Sequence, residues 1–232
     1  VISGLESYLQ YDTAQTITAH FDEASKKYFD HFNTAVQIEN TPKVQFYHKS
    51  LLVPGVEKLP FASLLGFMKP IFAGFGGSTG GYGTQDKPGV FYSQTGIGAA
   101  PVICYESIWG GYVAEYVKQG AQLITIITND GWWGNTSGKD QHLEYAKLRA
   151  IENRRWVARA ANTGISAFIN QRGDLIQCTS WWTSAALKQD VNLNSELTFY
   201  TRHGDYIARM GCVGAGLFAL FLLFRVFRKP SR

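Results

Sequence analysis

Pro101-Val102-Ile103-Cys104-Tyr105-Glu106 decides the fold, because an apolar run stops there at a cysteine. Residues 99–103 read as a short buried strand leading into Cys104. Beyond it, residues 108–119 have the pattern of a helix closed by Gly120. A β-branched run over residues 123–128 follows as a second buried strand. One strand–helix–strand crossover of this kind predicts an α/β domain. It also puts the Cys104 thiol at the start of a helix, where the dipole and free N–H groups favour a thiolate. The same amides would donate to an oxyanion formed during acyl transfer.

Working outward, residues 1–7 form a candidate strand. Residues 32–38 alternate, turn through Asn40-Thr41-Pro42-Lys43 and resume over 44–47, which is a hairpin pattern. Residues 60–89 are apolar and Gly-rich, with Phe61, Phe67, Phe72 and Phe75 among them. So long a connection marks a lid or binding loop, or else a core helix. After the crossover, a second helix is expected over 139–161, with Leu143, Ala146, Ala150 and Val157 on one face. Residues 164–170 and 175–179 flank the turn Gln171-Arg172-Gly173-Asp174 as a second hairpin, and residues 185–193 read as a last strand.

The bulk numbers narrow the function. At 232 residues, with 45% hydrophobic and 17% charged side chains, the chain can bury one substantial core and is not disordered. A net charge of +4, with no basic stripe interleaved with aromatics, gives no support to nucleic-acid binding. Three cysteines cannot all pair, and no Cys/His spacing suggests a metal or asks for a cofactor. His142 and His203 are candidate bases, but neither has a recognisable orienting partner in the sequence.

Residues 210–224 carry no charge, and the window 206–227 holds only Arg209 and Arg225, near its ends. That length suits a single membrane span, since a bilayer core needs about 20 apolar residues and terminal arginines can snorkel. A buried core helix is the alternative, and the lack of any polar face argues against it. Basic residues over 228–232 then predict a cytoplasmic C-terminus. The organisation expected is an incomplete catalytic domain over 1–205, a transmembrane helix over 206–227 and a basic tail over 228–232. The chain opens at Val1-Ile2-Ser3-Gly4-Leu5 as a strand already under way, so it reads as the C-terminal part of a longer enzyme.

Five ordered motifs extend the pattern around Cys104. Lys49-Ser50-Leu51-Leu52-Val53-Pro54, with Glu57 and Pro60, precedes it. Thr128-Asn129-Asp130-Gly131-Trp132-Trp133-Gly134, Arg149-Ala150-Ile151-Glu152-Asn153 and Ala161-Asn162-Thr163-Gly164 follow, then Arg172-Gly173-Asp174. The series resembles the nitrilase superfamily over nearly the whole chain, and within it the apolipoprotein N-acyltransferase family. That resemblance implies a four-layer α-β-β-α sandwich followed by one C-terminal transmembrane helix. It matches Cys104 to the nucleophile, Lys49 to the triad lysine and Glu57 to a second active-site carboxylate. Tyr105, Glu106 and Trp132 match positions that support the site, and Asn129 lies in the same motif. The family's general-base glutamate falls upstream of Val1. Glu6 does not match it and reads as structural, so these residues alone are expected to be inactive.

The activity implied is transfer of an acyl chain from a phospholipid, through a Cys104 thioester, to the N-terminal amine of a diacylglyceryl apolipoprotein. The location implied is the bacterial inner membrane, with the catalytic domain on the periplasmic side. A membrane-attached amidase of the same superfamily, or an inactive scaffold, are the alternative readings.

Overall fold

A computed structural model describes residues 1–58 and 81–227, and the loop expected over 60–89 falls largely outside them, as does the basic tail. Ten strands and four helices follow one another along the described chain.

The first sheet is built on one long strand. β1 (Ile2–Tyr11) pairs antiparallel with β3 (Lys27–Gln37) along its whole length, from Ile2↔Gln37 to Tyr11↔Tyr28. The other edge of β3 is shared by β2 (His20–Asp22) and β4 (Gln45–His48). The β3–β4 pair is the hairpin read from residues 32–47, and β1 runs beyond the expected residue 7 because β3 gives it a partner as far as Tyr11.

The second sheet has six strands in spatial order β10-β9-β8-β7-β6-β5. β5 (Phe91–Tyr92) flanks β6 (Gly98–Ile103), which lies parallel to β7 (Leu123–Asn129), itself parallel to β8 (Trp156–Asn162). β9 (Ala167–Ile169) and β10 (Leu175–Cys178) complete it as an antiparallel pair around Gly173. β6 is buried at all six positions, as a strand covered on both faces must be.

The two sheets pack face to face. A Cβ added at Gly4 of β1 would stand 2.6 Å from the Ile127 side chain of β7, so only glycine admits this approach. On the outer face of the second sheet lie α1 (Gly110–Lys118) and α2 (Ser137–Asn153). Val113 and Tyr116 of α1, and Leu143, Ala146 and Ala150 of α2, share one core with Val102, Ile124, Ile126 and Val157. The order sheet, sheet, helices is that of the predicted sandwich, and the described residues supply helices to one outer face.

Three expectations change. The helix expected over 139–161 ends at Asn153, where Arg154 turns left-handed (φ 51°), and the chain re-enters the sheet as β8. Val157 fitted the helical face in sequence but packs instead as a strand residue, since Val157 aligns with Ile124 of β7. Residues 185–193 form no strand, for no neighbouring strand offers them a ladder. Finally, Cys104 does not head α1: it opens a 3-10 turn, Cys104–Ile108, and α1 starts at Gly110.

After the short α3 (Phe199–His203), α4 (Tyr206–Phe227) leaves the domain. Its stretch Tyr206–Arg225 has a mean hydropathy of 2.0, is wholly exposed, and is long and apolar enough to cross a membrane.

Candidate active site

Cys104 stands where β6 ends, at the carboxyl edge of the parallel strands, where open α/β sheets place their ligand sites. Its backbone is left-handed (φ 48°), a conformation that costs a non-glycine residue on the order of 1–3 kcal/mol. Neighbours on two sides hold the turn in that state.

The first clamp is Glu106, two residues on and fully buried. Oε2 accepts the Ile103 amide (2.9 Å), which ties the turn back to β6. Oε1 accepts the Tyr47 hydroxyl (2.6 Å) and the amides of Ser50 (2.7 Å) and Leu51 (3.3 Å). Burial pushes the Glu106 carboxyl up, and the hydrogen bonds from Tyr47, Ile103, Ser50 and Leu51 pull against it. Burial, then the Glu106 charge, raises the Tyr47 and Tyr116 phenols far above their ordinary range, so both stay protonated donors.

Lys49 sits between Tyr47 and Ser50, just past β4, and is 1% exposed. A buried ammonium needs a partner. Nζ meets both oxygens of Glu57 at 2.7 Å. Glu57 also accepts from Asn33 Nδ2 (2.6 Å) and the Val53 amide (2.7 Å). The amide of Lys49 donates to Asn33 O (2.8 Å), so β3 fixes both members of the pair. Thus Lys49 and Glu57 meet directly, and Glu106 joins their loop to the turn of Cys104.

The second clamp comes from α2. His142 and Arg149, two turns apart on its buried face, reach three carbonyls of the Cys104 turn. Arg149 Nη1 donates to Ser107 O (3.2 Å) and Ile108 O (2.7 Å), and its Nη2 pairs with Glu152 (2.8 Å). His142 Nε2 meets Cys104 O at 3.2 Å and Ser107 Oγ at 2.9 Å. On its other side, Nδ1 lies 2.9 Å from Asp130 Oδ1. Nδ1 also lies 3.2 Å from Arg159 Nη2, so the imidazole, Asp130 and Arg159 meet in one buried cluster. Burial would raise the Asp130 carboxyl, but the His142 bond and the Arg159 charge outweigh it and hold the group below the usual aspartate range.

These contacts overturn the reading of His142 as a histidine without an orienting partner. Asp130 is twelve residues away on a different element, so spacing gave no sign of it. His203 is exposed and stacks on Phe199, away from these groups. Glu6 lies in β1 and accepts the Tyr82 hydroxyl (2.8 Å).

The remaining expected residues are placed as follows. Tyr105 is half-buried, edge-on to Trp109 with ring centroids 6.0 Å apart. Asn129 ends β7, and its Oδ1 accepts the Thr163 hydroxyl (2.7 Å) and the Gly131 amide (3.2 Å), so it braces the turn that follows. Trp132 projects from that turn with 67% of its surface exposed.

An α/β sandwich with a strained cysteine turn tied to a buried Lys–Glu pair defines a nitrilase-type domain. The chain belongs to the carbon-nitrogen hydrolase family, whose model matches residues 12–196. It is similar to the apolipoprotein N-acyltransferase of Chlorobaculum tepidum, at 40% identity over 186 residues, covering 78% of this chain and 35% of that protein. The protein of the same name from Geobacter metallireducens is 36% identical over 177 residues, 75% of this chain and 32% of the relative. The chain therefore spans about a third of the length of the curated relatives it matches. In fold it is similar to the crystal structure of Saccharomyces cerevisiae Nit3, a member of branch 10 of the nitrilase superfamily. That likeness has a TM-score of 0.51 at 14% identity, covering 72% of this chain and 54% of the other.

Proposed function

We propose that this chain carries the nucleophile and the lysine of an acyltransferase that matures lipoproteins. The observation that supports it most is the linkage of Lys49, Glu57 and Glu106 to the turn of Cys104. Cys104 Sγ attacks an ester carbonyl of a phospholipid, and its proton passes to the departing lysophospholipid oxygen. The Lys49 ammonium favours the thiolate and the tetrahedral oxyanion. The α-amine of an S-diacylglyceryl cysteine then attacks the thioester, forms the amide and returns the proton to sulfur.

Glu57 orients Lys49 through both carboxylate oxygens, while Glu106, Tyr105 and Trp132 shape and wall the site. The chain spans about a third of the length of its acyltransferase relatives, so the activity is proposed for the enzyme as a whole. The C-terminal helix α4 spans the bacterial inner membrane, with the catalytic domain periplasmic and the C-terminus cytoplasmic. The names of the similar acyltransferases and the apolar, exposed surface of α4 support this placement.

The test is product analysis. Full-length enzyme, phosphatidylethanolamine vesicles and a diacylglyceryl-cysteine peptide should give lysophospholipid and N-acyl peptide in equal amounts, with ping-pong kinetics. Release of free fatty acid with no acylated peptide would instead assign water as the acceptor.

A further inference from the structure

His142 lies outside the residues to which the family resemblance gives roles, yet it touches the peptide of the nucleophile. The Cys104 carbonyl receives two donors, Ser107 Oγ at 2.8 Å and His142 Nε2 at 3.2 Å. Those donors also touch each other at 2.9 Å, so carbonyl, hydroxyl and imidazole form a closed triangle. The triangle is buried: Ser107 and His142 are 0% and 2% exposed.

Behind the imidazole, every group is anchored in the sheet. Asp130 Oδ1 meets His142 Nδ1 and also accepts the Thr128 hydroxyl (3.0 Å). Asp130 Oδ2 accepts from Arg159 Nη2 (2.5 Å), and Arg159 Nε donates to Ile165 O (3.1 Å). A Cβ at Gly164 would collide with the Asp130 carboxylate and with Ala161, so the space is closed from that side too. A line of contacts thus runs from β8 and the end of β7, through α2, to Cys104, the first residue after β6.

We propose that His142 is a positioning residue. With Asp130 and Arg159 behind it and Ser107 beside it, it holds the Cys104 carbonyl and so fixes the left-handed turn that presents the thiol. The inference rests on the reading of Cys104 as the nucleophile. It assigns His142 no contact with Sγ or with substrate, which separates it from a Cys-His base pair.

The experiment compares full-length parent, His142→Ala, His142→Gln and Ser107→Ala by two rates. One is carboxamidomethylation of Cys104 by iodoacetamide, followed by peptide mass spectrometry, which needs no lipid. The other is single-turnover acylation of Cys104 by phosphatidylethanolamine vesicles. Misplacing a reacting group by about 1 Å costs on the order of 100-fold between bound partners, so His142→Ala should slow acylation by about that factor, with KM for lipid within about twofold, and slow alkylation by about fivefold as the thiol's presentation changes. In His142→Gln the side-chain amide can still donate to Cys104 O, and it should recover about tenfold of the loss in acylation. Ser107→Ala keeps the imidazole and should lose about tenfold in acylation.

An alkylation rate in folded His142→Ala within twofold of the parent would overturn the inference, as would a glutamine variant no faster than the alanine. Should His142→Ala fail to fold, Ser107→Ala decides, and an unchanged alkylation rate there overturns it. A parent enzyme that alkylates in a His142-dependent way but never acylates would support the positioning role and reject the phospholipid donor.

Discussion

Glu106 Oε1 accepts the backbone amide of Ser50 at 2.7 Å, and through that bond the residue after Lys49 is tied to the turn that Cys104 opens. Glu106→Gln places an amide NH2 among groups that all donate: Ile103 N, Ser50 N, Leu51 N and the Tyr47 hydroxyl. At least one buried donor then loses its acceptor, at about 1–3 kcal/mol each. The full-length variant should unfold several degrees lower and lose at least 100-fold in kcat, the order expected for a misplaced reacting group. Thermal unfolding and single-turnover acylation check both. Full activity in the glutamine variant would mean the loop of Lys49 needs no such tie.

Lys49 and Glu57 form one unit. Lys49→Ala leaves the Glu57 carboxylate with the Asn33 and Val53 donors but no cation. Removing one partner of a buried pair costs on the order of 3–5 kcal/mol, so Lys49→Ala should destabilise the domain as well as abolish transfer. Glu57→Gln keeps an acceptor for Asn33 yet removes the charge beside Lys49. It strands a buried ammonium, so it should destabilise the domain by a similar order and lower activity as well. A glutamine variant as stable as the parent would mean that Lys49 needs no counter-charge.

Acid sensitivity should report Asp130. Its folded carboxyl titrates below the ordinary aspartate range, so it binds fewer protons than the unfolded chain as pH falls from about 5. The stability it contributes is present above the unfolded pKa and is lost as pH drops through the lower, folded one. Asp130→Asn should therefore melt lower than the parent at pH 7, and the gap should close below about pH 4. A gap that stays constant from pH 7 to pH 3 would contradict this.

The C-terminal helix makes a separate prediction. Leu217 and Leu220 lie midway along α4 and are exposed. An arginine at the centre of a spanning helix costs about 2.5–3.5 kcal/mol of insertion free energy. Leu217→Arg should thus shift the full-length protein toward the carbonate-extractable fraction, while Ser231→Arg should not. Equal extraction of the two variants would argue that α4 lies elsewhere than across a bilayer.

Much of the fold was legible because local patterns and pairing agreed. Residues 99–103 are apolar throughout and form β6; the turns at 40–43 and 171–174 join real hairpins; Gly120 does follow a helix. The errors arise where tertiary pairing overrode local pattern. No Gly or Pro marks the end of α2, because Arg154 itself takes the left-handed cap, and β8 is specified by β7 beside it. Residues 185–193 have strand-like composition but no partner. At the site, Cys104, Lys49, Glu57 and Glu106 came from motif resemblance, and the structure brings their loops together. His142, Asp130, Arg159 and Ser107 were missed as a group. Their link exists only once α2 folds back over the turn after β6, and no sequence spacing encodes that. The thiol's expected place at an α-helix start failed for a related reason: Cys104 opens the 3-10 turn Cys104–Ile108, and the α-helix begins only at Gly110.

The most direct measurement is the intact mass of full-length enzyme incubated with phosphatidylethanolamine vesicles, alongside Cys104→Ser. The account predicts one added acyl chain on Cys104, removed by hydroxylamine and discharged as an amide onto a diacylglyceryl-cysteine peptide, and absent in the serine variant at the same time point. A folded, membrane-inserted enzyme that gains no adduct, or that carries its hydroxylamine-sensitive acyl chain on another residue, would contradict it.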